Sequence, residues 1–491
     1  MNPVRWKPLV EGAIKVAWIL FFLSLPVTSF PFFPGGLGGR TLVRPLSMYP
    51  LVALLLLMVL PSLIKRPLPR TFLPVLAFTL AALISTVFAL NSDLEALRGV
   101  TPLSRLVRNL FTLALGLSFY ATTTLLHRDW KDLSFSLRWL YAGLAIALFW
   151  GTVQIPIVLF NHPGYYRLVN ALQGFISTRR LFTTRISGLT YEPKWFAEQI
   201  CFLLLPWLIA SIITRRSSFP WRWRGITVEW LLLLWAVIVL VFTYSRTGLF
   251  ILAALVLIGY LFYSAYYHQR KSSAQRKSPR RRILEALTLL LVMITGLYLI
   301  GSQNPYFSRL WRYYTEAKSR NKTYLEFIAF EQRFVYWETA LRIFEAYPWL
   351  GVGLGNYAFY FEQMLPNEPW NQQVEIMRQI TPGEGRDRLI TPKNLYARLI
   401  AETGLLGTAA FTTFVVAIVG CALFLWFSPS AEQRFWGLSG FLALIVFGFV
   451  VFSFDSFAIP NMWVVFGLIT AAAHLDDPGF APEASPAESP T

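Results

Sequence analysis

Stretches of about 20 predominantly apolar residues, the length an α-helix needs to cross the hydrocarbon core of a bilayer, recur from end to end of this chain. They fall near 13–30, 46–64, 72–90, 103–126, 137–160, 196–213, 228–244, 247–267, 283–301, 395–427, 434–453 and 456–474. The apolar run over 228–267 is too long for one crossing at about 1.5 Å per residue, and the polar Tyr244-Ser245-Arg246 interrupts it, so it reads as two spans joined by a tight hairpin. The pattern predicts an all-α polytopic membrane protein with about twelve transmembrane helices.

Charge supports that reading. Lys and Arg number 44 against 26 Asp and Glu, a net +18, yet only 14% of the 491 residues are charged and 55% are hydrophobic. Soluble chains carry about a quarter charged residues. The basic excess does not point to nucleic acid, because no run of cations alternates with aromatics as a single-strand groove requires. It gathers in the loops 65–70, 214–227 and 268–282, all on one side if the N-terminus is inside, which the positive-inside rule makes cytoplasmic. These runs read as solvated faces that orient the chain. The first apolar run follows Arg5 and Lys7 but no small-x-small cleavage site occurs at Thr28–Phe33, so it is read as a span and not a secretory signal. Cys201 and Cys421 have no paired spacing, so neither a disulfide framework nor a metal site is indicated. The organisation expected is nine spans over 1–301, a large outer loop over 302–394, three spans over 395–474, and a disordered acidic tail over 475–491 that is too polar to bury a core.

The outer loop has a pattern of its own. Phe327, Phe330, Phe334, Trp337, Leu341 and Phe344 recur at steps of three and four, which predicts a helix burying that face against the membrane or the spans. It should end near Tyr347-Pro348, since proline disfavours helix in the residue before it.

Three arginines stand out on the loop side: Arg185, Arg246 between two spans, and Arg333 on the predicted loop helix. Each has an ordinary explanation, namely a loop charge, snorkelling to headgroups, or pairing with Glu331 or Glu338. Together they suit a diphosphate at the membrane surface, because a guanidinium binds phosphate oxygens bidentately and stays charged. Gly351, Gly353 and Gly355 form a Gly-x-Gly-x-Gly run that either presents N–H groups to an anion or simply turns the chain between two helices; no strand precedes it, so a dinucleotide site is rejected. Lys393 and Asn394 stand at the entrance of the tenth span. Glu402, two turns in, needs a partner; Arg398 at i,i+4 spacing supplies one, and a catalytic or substrate-positioning role is the sharper alternative.

In order along the chain, Arg185 to Pro193 (R-x-S-G-x-x-x-E-P, including Glu192), Ser245-Arg246-Thr247-Gly248, Arg333 to Trp337 leading to Pro348–Gly355, and Asn394 to Gly407 (N-x-Y-x-x-x-x-x-E-x-G-x-x-G, including Tyr396) resemble the O-antigen ligase and O-antigen polymerase superfamily of bacterial envelope glycosyltransferases. The resemblance implies transfer of a glycan from undecaprenyl diphosphate to a glycan or lipid-linked acceptor on the periplasmic face of the inner membrane, inverting, with no metal ion or cofactor. It assigns Arg246 and Arg333 to the diphosphate, with Arg185, Glu192, the glycines, Asn394 and Tyr396 lining the substrate. One departure bears on the acceptor: ligases of this superfamily usually carry histidine where this chain has Lys393. His127, His268 and His474 fall on the inner side, leaving His162 outside. A proton would then go to Lys393 if burial lowered its pKa, to Glu192 or to Glu402. The balance leans to a polymerase, with ligation to lipid A-core as the alternative and a transporter or flippase of lipid-linked sugars as the rival from another class.

Overall fold

The computed structural model describes residues 7–32, 43–65, 67–90, 94–268, 278–314, 323–328, 330–366, 374–381 and 389–476. The predicted acidic tail beyond Asp476 and the basic stretch 269–277 lie outside the described residues. A helix stands at each of the twelve apolar windows. In chain order the helices are α1 (Lys7–Ser24), α2 (48–65), α3 (Phe72–Ala89), α4 (Pro102–Leu125), α5 (Trp130–Phe160), the short α6 (Pro163–Gln173), α7 (Pro193–Thr214), α8 (Val228–Phe242), α9 (Arg246–His268) and α10 (Pro279–Ser302). The large loop contributes α11 (Arg309–Arg312), α12 (Tyr324–Phe327), α13 (Gln332–Ala346), α14 (Tyr357–Tyr360) and α15 (Val374–Ile380). The chain then returns through α16 (Leu395–Phe427), α17 (Ala431–Val450) and α18 (Pro460–His474). Seven of these, α3, α5, α7, α9, α10, α16 and α17, are long and apolar enough to cross a membrane. Two more, α2 and α8, are apolar but shorter.

Local chemistry sets the boundaries. Thr101 caps α4 by accepting the Ser104 N–H at 3.2 Å, with Pro102 in the first turn; Asp129 caps α5 at the Asp132 N–H, 2.8 Å away. The helices differ sharply in what surrounds them. The apolar window of α7 is 89% buried inside the protein and that of α10 only 6%, so α7 lies at the centre and α10 turns nearly all of its apolar surface outward.

The large loop builds a second core. Val335, Tyr336, Ala340 and Ile343 of α13 pack with Val352, Tyr357 and Phe361 onto Ala397 and Ala401 of α16. Each fully buried aliphatic side chain contributes about 1.5–3 kcal/mol, so the lobe is docked firmly. α13 ends at Ala346, as the proline predicts. The expected stripe packs only in part: Phe327 is buried and Trp337 lies against the lobe core, but Phe330 and Phe334 remain 47% and 45% exposed, and the main contact is made by the Val335–Tyr336–Ile343 side. α13 carries apolar residues on two sides, and periodicity alone does not say which meets protein.

Candidate functional site

Hydrogen bonds tie the connecting segments at one end of the bundle into a single layer. Thr178 donates its N–H to the Ser29 carbonyl (3.0 Å), Ile186 to Phe242 (3.2 Å) and Leu395 to Val451 (2.9 Å), while Asn304 Nδ2 donates to Thr184 (2.7 Å). The buried Gln154 of α5 pins the middle of this layer: its Oε1 accepts from Ser187 and Gly188 N–H at 2.9 and 3.0 Å, and its Nε2 donates back to the Gly188 carbonyl.

That clamp brings Arg185 next to the α8–α9 hairpin. At the hairpin Tyr244 adopts a left-handed φ of 46°, Ser245 caps α9, and Arg246 becomes the first helical residue. The guanidiniums of Arg185 and Arg246 share the ring of Tyr306, at 4.0 and 5.3 Å from its centre, an arrangement favourable for each cation. Arg246 Nη1 also donates to the Ile328 carbonyl at 2.9 Å, and Arg333 follows just beyond it on α13. Arg185 Nε, Arg246 Nε and Arg333 Nη1 are buried with no protein acceptor. Among the described residues none of the three forms an ion pair. Buried donors of this kind are rare and call for a reason.

Paired charges border these three. Glu192 binds Arg179 at 2.6 Å. Lys194, in the first turn of α7, reaches the buried Glu198 at 3.8 Å and donates to the Ser453 carbonyl; the Ser453 hydroxyl donates to Glu198 at 2.8 Å. Lys194 lies within the field of Arg333, Glu192 and Asp455, so the pairs and the arginines share one electrostatic neighbourhood. Lys393 adopts a left-handed φ of 52°, strained for a side-chain-bearing residue. Its N–H donates to Asp455 Oδ2 at 2.8 Å, and its ammonium pairs with Glu375 and donates to the Tyr336 hydroxyl. Burial lowers the Lys393 ammonium below the usual lysine range, with Glu375 opposing. For Glu375 burial acts upward, but the Lys393 charge and the Lys393 and Tyr336 hydrogen bonds outweigh it and hold the carboxylate below its ordinary value. Asn394 Oδ1 accepts the N–H groups of Tyr396 and Ala397 and so caps α16, and Tyr396 lies half exposed against Phe452. His162 caps α6 through the Tyr165 N–H.

Two expectations change here. Glu402 is 2% exposed and paired with Arg398, whose Nε lies 2.8 Å from Glu402 Oε2; the same guanidinium donates to Asn109 and to the Asp455 carbonyl. The structural partnership is the one realised. The glycine run, in turn, is not an anion nest. α16 is broken at Gly404 (φ 58°, ψ −159°), and the run splices into the break. Val352 and Gly353 donate to the Ala401 and Glu402 carbonyls at 3.0 and 2.9 Å, and Leu405 and Leu406 donate to Pro348 and Trp349 at 2.8 and 3.2 Å. Leu354 N–H goes to Thr86. Buried backbone groups freed by a break must find partners, and the segment 348–353 supplies them. A Cβ on Gly351 would lie 2.6 Å from the Ala401 carbonyl oxygen, and its φ is +67°.

The sequence singled out Arg185, Arg246, Arg333, Lys393 and Glu192, and the structure gathers them at one end. It adds Lys194, Glu198, Tyr306 and Glu375, which no motif spacing indicates. Glu198 was detectable in principle, as an acid within an otherwise apolar span. Residues 231–412 match the family model described as O-antigen ligase, a segment that includes Arg246, Arg333 and Lys393 but neither Arg185 nor Glu192. No curated protein matches the chain.

Proposed function

We propose that this chain, a member of the O-antigen ligase superfamily, moves a glycan from undecaprenyl diphosphate to an acceptor sugar on the periplasmic face of the inner membrane, acting as a polymerase. In this reading all twelve apolar helices cross the bilayer, and the lobe with the Arg246 hairpin faces the periplasm. The acceptor hydroxyl attacks the anomeric carbon from the side opposite the diphosphate and gives its proton to the Glu192 carboxylate, the bond from carbon to phosphate oxygen breaks with inversion, and the electron pair stays on the departing diphosphate. The observation that carries the reading is the set of three guanidiniums, Arg185, Arg246 and Arg333, that have buried, unmatched N–H donors and, among the described residues, form no ion pair. Fixed cations aimed at charge that develops on a leaving group are usually the largest catalytic contribution.

Glu402 takes no part in proton transfer here, because Arg398 already holds it. Lys393 favours polymerisation over ligation to lipid A-core. Where ligases of the superfamily carry histidine, this chain has a lysine whose ammonium is paired with Glu375. Purified protein supplied with an undecaprenyl-diphosphate oligosaccharide tests the reading: longer glycan with release of undecaprenyl diphosphate is expected. Transfer only to added lipid A-core would make it a ligase, and unchanged lipid a carrier. Arg246→Ala or Arg333→Ala with wild-type turnover would remove the mechanism.

A further inference from the structure

The opposite end of the bundle holds a recess of about 470 Å³ between α1, α2 and the turn from α4 to α5, a volume within the range of small-molecule sites. Its chemistry is two-sided. Lys15, Arg128 and Lys131 line it, and among the described residues none of them forms an ion pair. Two acids also line it, Glu11 and Asp132; the Asp132 carboxylate accepts the Arg128 backbone N–H at 2.9 Å. The rest of the lining is apolar, with Met58 and Leu126 beside the rings of Trp18 and Phe135.

That wall is fixed from behind. Trp18 Nε1 donates to Ser136 Oγ at 2.8 Å, and Ser136 Oγ lies 2.7 Å from Nε2 of the buried His127, whose Nδ1 faces the Thr123 carbonyl at 2.7 Å. A carbonyl only accepts, so Nδ1 carries the proton and Nε2 accepts from Ser136. Trp18, Ser136 and His127 are thus matched in one chain of hydrogen bonds, and Trp18 is further held edge-on to Phe135 and His127. The helices that bound the recess also carry exposed apolar side chains: Val16 on α1 and Leu56 on α2 are 57% and 61% exposed.

We propose that this recess binds an anionic glycerophospholipid, its phosphodiester among Lys15, Arg128 and Lys131 and an acyl chain along Met58 and Leu126. A water-soluble anion would leave the apolar wall against water, and a zwitterionic lipid would leave the cationic excess uncompensated. The site is independent of the transfer reaction, being at the other end of the helices.

The full chain in neutral detergent, examined by native mass spectrometry with phosphatidylglycerol or phosphatidylcholine, tests this. Phosphatidylglycerol should be retained at least tenfold more strongly, and Arg128→Gln with Lys131→Gln should weaken retention by roughly fivefold for each cation removed, with glycan transfer unchanged. Equal retention of the two lipids, or undiminished retention by the variant, would overturn the proposal. Displacement of phosphatidylglycerol by inorganic phosphate would do so too, by assigning the cations to a free anion. Should the double variant fail to insert, Lys15→Gln, on an exposed position of α1, reads the same outcome.

Discussion

Arg398 and the pair Arg246 and Arg333 occupy the same end of the molecule and use the same functional group, but they are set in opposite ways. Arg398 is 5% exposed, and Glu402, Asn109 and the Asp455 carbonyl take up its donors. Arg246 and Arg333 are each half-buried, with a donor that no protein atom meets, and among the described residues neither forms an ion pair. A guanidinium satisfied from within is part of the scaffold, and removing it leaves an expensive uncompensated charge. One left unsatisfied is directed at something else. The difference separates stability from activity at neighbouring positions.

The contrast breaks most visibly at Arg398. Arg398→Ala should cost about 3–5 kcal/mol, because Glu402 is left buried and unpaired, and thermal unfolding should show most folded protein lost. Replacing both partners, Arg398→Met with Glu402→Leu, should recover much of that loss; no recovery would mean that Asn109 and Asp455 matter more than the ion pair. Next come Arg246→Ala and Arg333→Ala, each expected to slow glycan transfer roughly a hundred- to thousandfold with the unfolding midpoint unmoved. A midpoint that fell with activity would erase the distinction. Arg246→Lys and Arg333→Lys keep the charge but lose the planar fork, and should sit in between, down roughly ten- to hundredfold in the same assay. Gly351→Ala forces a side chain into a left-handed backbone against Ala401 and Glu402, and should destabilise by about 1–3 kcal/mol in chemical unfolding.

The smallest effect concerns Glu375. Its folded pKa is depressed, so its stabilisation is full above the ordinary carboxylate range and is lost as pH falls through the lowered folded value. Hydrogen exchange over 374–381 should therefore quicken on acidification in the wild type, beyond the intrinsic pH dependence, and stay flat in Glu375→Gln.

Apolar length was highly legible because lipid imposes it: a bilayer demands a run of fixed extent, and a helix stands at every such window. The faces of those helices were not. At and just before α13, Phe330 and Phe334 on one side and Val335 to Ile343 on the other are both apolar, and only tertiary contact tells them apart. The site was legible where chemistry is rare, as with arginine beside a span, and illegible where distant segments meet. Tyr306 reaches Arg185 and Arg246 through the Asn304 contact with Thr184, and Glu375 meets Lys393 across the lobe. The glycine run left two readings open because the same N–H groups that suit an anion also suit a broken helix.

The splice at Gly404 has a mechanical consequence. Four backbone bonds join residues 348–353 to the interrupted turn of α16, so the lobe cannot tilt on its own; any swing of it levers the upper segment of a membrane helix. On the other flank Arg246 donates to the Ile328 carbonyl and lies over the Tyr306 ring, so the hairpin is joined to the loop there by side-chain contacts and not by a backbone splice.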